Sequence, residues 1–323
     1  MSVHVGSDSD RFVLISGRRV RIRVRGQGPP VLLLNGLGAN VAMWTPLLEQ
    51  LPGFQLISFD APGTGLSKAP VLPYRIAHIA AIARRVLDVV GVDRADVLGY
   101  SLGGAVAQQL AYSHPERVRR LVLVSTSCGL GQIPGPLRAA FAVMTPARHY
   151  AKAANRAFMR LVGLAPAERD SHHITELVSG WRQEATPSVR GYALQMTAFT
   201  TFNSLPWLHR VKQPALVVTG THDNLMPMPN AAVLAAYLNN ARLHVVERWG
   251  HYFLHDASSG VAASIAEFLA APDYAASSTW ANARPVQPAD LPAFIEAAPR
   301  TAHWGTVTGG VVRVLFPPKS TAG

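Results

Sequence analysis

The pattern Gly-x-Ser-x-Gly at Gly99, Ser101 and Gly103 places one serine where a nucleophile could stand. It follows an apolar, strand-like run and opens the helical pattern of residues 102–113, which is the context of a nucleophile elbow. A serine on such a turn has a strained backbone and projects its hydroxyl above the sheet, and the glycines leave room for neighbouring backbone. The alternative is an ordinary glycine-rich turn in which Ser101 caps the helix. We expect the nucleophile, because strand, turn and helix occur together.

A serine hydroxyl is a weak nucleophile at neutral pH and needs a base within reach. Of the 12 histidines, His251 lies in the loop after the last apolar run, and His255, one helical turn later, is its main rival. Asp223 follows the penultimate apolar run and could orient the imidazole and stabilise its charged form, with Glu247 as the alternative carboxylate. The chain order serine, aspartate, histidine is the one expected on a strand–helix scaffold with such an elbow. The pattern predicts acyl transfer by Ser101, His251 and Asp223.

Backbone amides near the serine could hold the negative charge of a tetrahedral intermediate. A glycine-rich turn, LNGLG at residues 34–38, follows an apolar run. The amides of Leu37 and Leu102 are therefore predicted to form an oxyanion hole, since fixed backbone donors need no reorganisation. The alternative is a plain strand-to-helix turn. Asp60, in the segment FDAPGTGLS, is expected to hold a turn and not to take part in chemistry.

Short apolar runs separated by helical patterns must position these residues. Continuous apolar strands that alternate with helices predict an α/β fold with a mostly parallel sheet covered on both faces, and its active sites lie beyond the carboxyl ends of the strands. The predicted buried strands are residues 31–34, 55–59, 95–99, 121–124, 215–219 and 243–246. The helical patterns include residues 75–90, 102–113 and 231–238.

The amino-terminal part predicts a β-hairpin of residues 11–16 and 19–25 with a turn at Gly17. In the second strand valine and isoleucine alternate with arginine, so one face is expected in the core and the other in water. The arginine row is expected to be a solvated edge whose like charges deter pairing with other chains. Docking to an anionic surface is the alternative. The row consists of Arg19, Arg21, Arg23 and Arg25.

Two stretches break the strand–helix rhythm. Residues 129–207 contain no apolar strand pattern and are too long for a plain loop, which predicts a helical lid insertion. After about Pro272 the composition shifts to Ala, Pro, Ser and Thr, and we expect a loosely ordered tail in which residues 310–316 could form a strand. The predicted division is a core of residues 1–128 and 208–272, a lid of 129–207 and a tail of 273–323.

Composition excludes several classes of protein. The chain has 323 residues, of which 49% are hydrophobic and 15% charged, enough for one sizeable core. Its formal charge of +11 is read as a soluble surface, because no nucleic-acid motif accompanies it. A single cysteine, Cys128, allows no disulfide within the chain. The polar residues 1–10 predict neither a signal peptide nor a presequence, and no run predicts a membrane span, so a cytoplasmic enzyme is expected.

Residues 31–269 resemble the α/β-hydrolase family and, within it, the intracellular poly(3-hydroxyalkanoate) depolymerases that act on medium-chain-length polyesters. The resemblance implies Ser101, Asp223 and His251 as the triad and a lid that faces a hydrophobic polymer. Asn35, in place of a histidine before the oxyanion glycine, is shared with that group. The neighbours of Asp223 depart from it, because acidic residues are usual there. The similar segments are LLNGLGAN (33–40), FDAPGTGLS (59–67), DVLGYSLGGAVAQQLA (96–111), HPERVRRLVLVSTS (114–127), PWLHRVKQPALVVTG (206–220) and NNARLHVVERWGHYFLHD (239–256).

The predicted activity is cleavage of an aliphatic polyester or hydroxyacyl ester through an acyl-enzyme, with no metal, nucleotide or flavin. The expected partner is a hydrophobic ester or polyester, at a granule surface where the substrate is polymeric. The alternatives are a carboxylesterase or lipase, a carbon–carbon hydrolase on the same triad, and a binding protein without catalysis. Aromatic residues of the insertion could grip aliphatic chains or pack the lid onto the core. They are Phe141, Tyr150, Phe158, Trp181, Tyr192, Phe199, Phe202 and Trp207.

Overall fold

One β-sheet organises the residues that the computed structural model describes, which are 8–162, 164–170 and 184–297. Its strands are β1 (Asp8–Ile15), β2 (Arg18–Arg25), β3 (Pro30–Leu34), β4 (Gln55–Phe59), β5 (Ala95–Tyr100), β6 (Val118–Val124), β7 (Ala215–Gly220) and β8 (Ala241–Val246). They lie in the order β1-β2-β4-β3-β5-β6-β7-β8. All pairs from β4 to β8 are parallel, and β1 and β2 add an antiparallel hairpin at one edge. The predicted mostly parallel sheet is confirmed.

Helices cover both faces of this sheet. They are α1 (Thr45–Gln50), α2 (Ile76–Val90), α3 (Leu102–Ser113), α4 (Leu137–Val143), α5 (Lys152–Val162), α6 (Pro166–Asp170), α7 (Val189–Thr200), α8 (Met228–Tyr237), α9 (Val261–Ala270), α10 (Ser278–Asn282) and α11 (Leu291–Glu296). Within the described ranges every helix is too short or too polar to cross a lipid bilayer.

The apolar runs are continuous because both faces of each central strand are buried. In β3, Leu32 and Leu34 pack with α2, α3 and α8 in one hydrophobic cluster. Their neighbours Val31 and Leu33 pack with α1 and α9 in a second cluster on the opposite face. Successive side chains of a strand point to opposite faces, so a strand between two helical layers needs apolar residues at every position.

The arginine face of the hairpin differs from its prediction. The hairpin itself is confirmed, with β1 and β2 paired over their full lengths. Arg21 and Arg23, however, are buried, and both donate hydrogen bonds to Asp10 and to Glu184. Hydrogen bonding by Arg23 and then Arg21 outweighs burial and holds the pKa of Asp10 well below its usual value. The prediction of a solvated edge is wrong for these residues because β2 is an inner strand and acidic side chains cover its polar face.

Residues 125–214, here called the β6–β7 connection, contain several helices in the part that the structure describes, as predicted for the insertion. They carry α4, α5, α6 and α7. Their role as a lid, and the division of the chain into core, lid and tail, stay predictions. Of the predicted aromatic residues, Phe158, Tyr192, Phe199 and Phe202 are buried, Phe141 and Tyr150 are exposed, Trp207 stacks on Tyr112, and Trp181 lies outside the described residues.

The segment after Pro272 is folded as far as the structure describes it, which contradicts the predicted loose tail for residues 273–297. Trp280 of α10 stacks on Phe268 of α9, and Leu291 and Phe294 of α11 are buried. Arg284 pairs its backbone with Leu243 of β8. Few but large apolar side chains therefore attach this segment to β8, α8 and α9, which its average composition conceals. The predicted strand at residues 310–316 lies outside the described residues.

Candidate active site

Ser101 occupies a strained turn between β5 and α3, as the elbow pattern predicts. Its φ is 54° and its ψ is −118°, a conformation that L residues rarely adopt. Its N–H donates to the Val124 carbonyl oxygen of β6 at 2.9 Å. A Cβ at Gly103 would overlap the Leu34 carbonyl oxygen, and one at Gly99 would overlap the Gly103 carbonyl oxygen. The glycines thus allow three backbone segments to meet directly below the serine.

Asp223 and His251 form a buried pair at the carboxyl ends of β7 and β8. His251 Nδ1 lies 2.8 Å from Asp223 Oδ2, and both side chains are under one-tenth exposed. The other carboxylate oxygen, Oδ1, accepts from the N–H groups of Leu225 at 2.9 Å and Met226 at 2.8 Å. An ionised carboxylate only accepts hydrogen bonds, so Nδ1 carries the proton and Nε2 keeps its lone pair. This arrangement orients an imidazole that can take up a proton at Nε2.

The loop that carries His251 contacts the residue that precedes the serine. The Tyr100 hydroxyl donates to the His251 carbonyl oxygen at 2.9 Å, and the centroids of the two rings lie 5.1 Å apart. Tyr100 is the last residue of β5, so this contact lies directly next to Ser101 in the chain. The predicted serine, aspartate and histidine therefore come from loops at the same edge of the sheet.

The rival residues occupy different surroundings. His255 is 2% exposed and lies against the rings of Tyr100 and Trp44. Burial, and then the proximity of His251, lowers the pKa of His255 to about 3, which makes it a poor base at neutral pH. Glu247, the alternative carboxylate, is exposed at the end of β8.

The predicted oxyanion turn lies against the elbow. A Cβ at Gly36 would be 3.7 Å from the Ser101 Cβ and 3.1 Å from the Tyr100 ring. The Leu102 amide is the first of α3 and has no carbonyl oxygen within the helix to bond to. Asn35 is not directed at a substrate, because its side chain donates to the Phe59 carbonyl oxygen and accepts from the Trp44 indole N–H. The Leu37 and Leu102 amides stay the predicted oxyanion donors.

Asp60 holds a turn, which confirms its predicted role. One carboxylate oxygen accepts from the Val41 N–H at 2.9 Å and the other from the Leu66 N–H at 2.8 Å. Desolvation by burial raises the pKa of Asp60. It connects the segment after the oxyanion turn to the segment after β4.

Residues of the β6–β7 connection support the site, and the sequence did not indicate them. Gln195 of α7 accepts the Gly38 N–H at 2.8 Å, and Arg148 donates to the Leu37 carbonyl oxygen at 3.4 Å. Glu168 of α6 accepts the Tyr252 N–H at 2.7 Å, one residue after His251. These contacts join positions far apart in the chain, and no local pattern marks them. The β6–β7 connection therefore contacts both the predicted oxyanion turn and the loop that carries His251.

The donor set offers a serine, an imidazole and backbone amides. Among the described residues no cluster of three His, Cys, Asp or Glu side chains is placed to hold a metal ion. A neutral imidazole next to a buried carboxylate can accept a proton from a hydroxyl and return it to a leaving group.

The chain is similar to known hydrolases in sequence and in fold. The sequence profile described as "alpha/beta hydrolase fold" matches residues 29–258. A poly(3-hydroxyalkanoate) depolymerase from Ectopseudomonas oleovorans is 34% identical over 273 residues, which cover 80% of this chain and 92% of that one. A 2-hydroxy-6-oxo-6-phenylhexa-2,4-dienoate hydrolase from Burkholderia cepacia is 27% identical over 76% of this chain and 91% of that one. The crystal structure of a hydrolase from Pseudomonas aeruginosa PA01 has a TM-score of 0.69 at 28% identity and covers 81% of this chain and 98% of that one.

Proposed function

We propose that this chain, which belongs to the α/β-hydrolase family, is a serine-dependent ester hydrolase with Ser101 as nucleophile, His251 as base and Asp223 as orienting acid. The observation that carries the proposal is the buried hydrogen bond of 2.8 Å between His251 Nδ1 and Asp223 Oδ2. It fixes the tautomer that leaves Nε2 able to accept the serine proton.

In the proposed reaction His251 Nε2 takes the proton of Ser101 while the hydroxyl oxygen attacks the ester carbonyl carbon. The Leu37 and Leu102 amides bind the carbonyl oxygen as it becomes negative. The carbon–oxygen bond of the ester then breaks, and the alcohol leaves with the proton from His251. Water, deprotonated by His251, attacks the acyl-enzyme and releases the acid and Ser101. Asp223 stabilises the imidazolium that forms in both halves.

The proposed substrate is an aliphatic polyester or a related hydroxyacyl ester. The depolymerase relative supports a polyester, since it is 34% identical over most of this chain. Exposed apolar side chains on α4 and just after it also support a hydrophobic substrate. Leu137, Phe141 and Met144 are 47%, 71% and 64% exposed, and their spacing places them on one side of the helix. We propose that the connection acts as a lid over this substrate, and that the enzyme works in the cytoplasm at polyester granules.

A second candidate is a carbon–carbon hydrolase on the same triad, or a carboxylesterase of small acyl esters. The similarity to the dienoate hydrolase, which covers 76% of this chain, supports the carbon–carbon hydrolase. Both reactions would use the same serine and histidine, so substrate preference distinguishes them.

A fluorophosphonate probe tests the serine mechanism. We expect stoichiometric labelling of the wild type at Ser101 and no labelling of Ser101→Ala. An unlabelled wild type with intact fold would contradict the mechanism and would favour a binding protein.

A substrate panel tests the specificity. Release of acid would be measured from medium-chain-length polyester, short-chain polyester, p-nitrophenyl esters of graded chain length and a dienoate substrate. We expect the highest kcat/KM on medium-chain-length polyester. A preference for short p-nitrophenyl esters or for the dienoate would overturn the polyester assignment and leave the triad in place.

A further inference from the structure

Glu168 is a buried carboxylate that the proposed mechanism does not use. It belongs to α6 of the β6–β7 connection and is 2% exposed. Its Oε2 accepts from the Ala165 N–H at 2.9 Å, at the start of the same helix, and its Oε1 accepts from the Tyr252 N–H at 2.7 Å. A carboxylate three residues into a helix commonly caps the helix start with one oxygen. The second oxygen here reaches out of the helix to the residue after His251.

The loop around His251 is shaped to receive this carboxylate. A Cβ at Gly250 would lie 2.5 Å from Glu168 Oε2 and 3.0 Å from its Cδ, so Gly250 admits the carboxylate against the backbone. Also before His251, Arg248 has a φ of 67°, and its carbonyl oxygen accepts from the Ala167 N–H at 3.2 Å, whereas the Tyr252 N–H bound by Glu168 follows the histidine. Strained backbone persists only where its surroundings over-determine it. Helix α6 thus contacts the loop on both sides of the histidine.

The same part of the connection contacts the loop of Asp223. The Asn224 side chain donates to the Val162 carbonyl oxygen at the end of α5, at 2.9 Å. Desolvation by burial raises the pKa of Glu168, and its charge interacts with Asp223 and His251. The Asp223–His251 pair is therefore bordered by α5 and α6.

We propose that Glu168 is a positioning residue of the hydrolysis, which holds the His251 loop through the Tyr252 amide, so that the base is in place only while α6 is docked. This inference rests on the proposed function, because it assigns His251 as the base. Displacement of α6 would free the Tyr252 N–H and relax the loop, and a small displacement of a catalytic group is costly in rate. Docking of the connection and assembly of the catalytic pair are then one event.

Three variants test the proposal. Glu168→Ala removes both acceptors, and Glu168→Gln retains an oxygen that can accept from Tyr252. Glu267→Ala is the control, since Glu267 also accepts two backbone N–H groups, those of Ser278 and Thr279, but on the far side of α9. Each protein would be compared with the wild type in kcat and KM on one ester, in the rate of fluorophosphonate labelling, and in hydrogen exchange of a peptide covering residues 249–254.

We expect Glu168→Ala to lower kcat and the labelling rate by roughly 10- to 100-fold with KM changed by less than about threefold, and to speed exchange at residues 249–254. Glu168→Gln should recover most of both, and Glu267→Ala should keep wild-type values. Unchanged kcat and exchange in Glu168→Ala would overturn the proposal, as would equal losses in Glu267→Ala. If Glu168→Ala does not fold, the hydrogen-exchange rate of the Tyr252 amide in Glu168→Gln decides. A rate near that of the folded wild type supports the proposal. A rate as fast as that of the wild type unfolded in urea overturns it. A wild type that does not label would refute the serine mechanism, and exchange would still decide whether Glu168 holds the loop.

Discussion

At the scale of single residues, His251 and His255 differ in what surrounds them and not in their chemistry. The His251 Nδ1 donates to a buried carboxylate, and the His255 ring lies among aromatic rings. The carboxylate of Asp223 would stabilise a positive His251 imidazole during the reaction. The two positions should therefore respond differently to substitution.

We predict that Ser101→Ala or His251→Ala lowers kcat by roughly 10⁴- to 10⁶-fold with the fold intact, because residues of a triad act as a unit. The double variant should be little worse than either single one for the same reason. Steady-state rates on a p-nitrophenyl ester, with circular dichroism for the fold, check this. His255→Gln is the matched control and should keep kcat within about tenfold, which is far smaller than the loss of a triad residue. A collapse of activity in His255→Gln alone would assign the base to the wrong histidine.

The burial of His255 also predicts a pH dependence of stability. Its pKa is lowered by burial to about 3 in the folded protein, against an ordinary value of 6.5. Between these values the unfolded chain binds a proton at this position and the folded chain does not, so acidification through this window favours unfolding. The stability contribution is thus present above the unfolded pKa and is lost progressively as the pH falls below it.

We expect the difference in unfolding free energy between the wild type and His255→Gln to shrink as the pH falls from 7 to 5. Urea denaturation at a series of pH values measures it, and the comparison cancels the titration of groups that both proteins share. A difference that is constant with pH would mean that His255 is protonated equally in both states.

At the scale of elements, the nucleophile turn depends on backbone segments that approach one another without side chains between them. A Cβ at Gly103 would overlap the Leu34 carbonyl oxygen, and Leu34 cannot move away without disturbing the pairing of β3 with β5. Gly91, which ends α2 with a φ of 78°, has no atom within 4 Å of a built Cβ. A side chain at Gly103 would meet a steric clash, whereas one at Gly91 would meet only the strain of a positive φ. Substitution of the two glycines therefore measures the two effects separately.

Gly103→Ala should destabilise the protein by more than about 4 kcal/mol or prevent folding, the range that marks a severe steric conflict. Gly91→Ala should cost only about 1 to 2 kcal/mol, the strain of a left-handed residue. Urea denaturation measures both. Similar losses in the two variants would show that the crowding at the elbow is relieved by a shift of the backbone.

The sequence predicted the elements whose signal is local. The elbow at Ser101 is one, because its glycines, strand and helix are consecutive. The buried strands are another, because a doubly covered strand is apolar at every position. Glu168 and Gln195 were missed because each binds a backbone amide far away in the chain, and a backbone amide carries no sequence signal. The separation is 84 residues for Glu168 and 157 residues for Gln195. The environment of Arg21 was predicted wrongly, because a charged side chain in a strand indicates a solvent-exposed face unless its acidic partners are known.

At the scale of the whole molecule, the β6–β7 connection touches each loop of the candidate site. It reaches the oxyanion turn through Gln195, the Asp223 loop through the Val162 carbonyl oxygen and the His251 loop through Glu168. The sheet sets the order of the loops, and the connection sets their spacing. The loops of the candidate site therefore contact the inserted helices as well as the sheet.

The segment after Pro272 makes a comparable contribution on the opposite side of the last strand. Trp280 is 5% exposed, its ring stacks on Phe268 with centroids 5.6 Å apart, and Arg242 of β8 donates to its carbonyl oxygen at 2.9 Å. Truncation of a large buried aromatic side chain removes its transfer free energy and leaves a cavity. We predict that Trp280→Ala lowers the free energy of unfolding by about 3 to 5 kcal/mol.

The matched control is Phe141→Ala on α4, because Phe141 is also a large aromatic residue but is 71% exposed. It should change the free energy of unfolding by less than about 0.5 kcal/mol, as surface substitutions usually do. Denaturation in urea, followed by both tryptophan fluorescence and circular dichroism, compares the two. Because Trp280 covers β8, and β8 leads to the His251 loop, residual activity of Trp280→Ala should fall with temperature earlier than that of the wild type. Equal stability of the two variants would mean that the stacking of Trp280 on Phe268 contributes little to the stability of the fold.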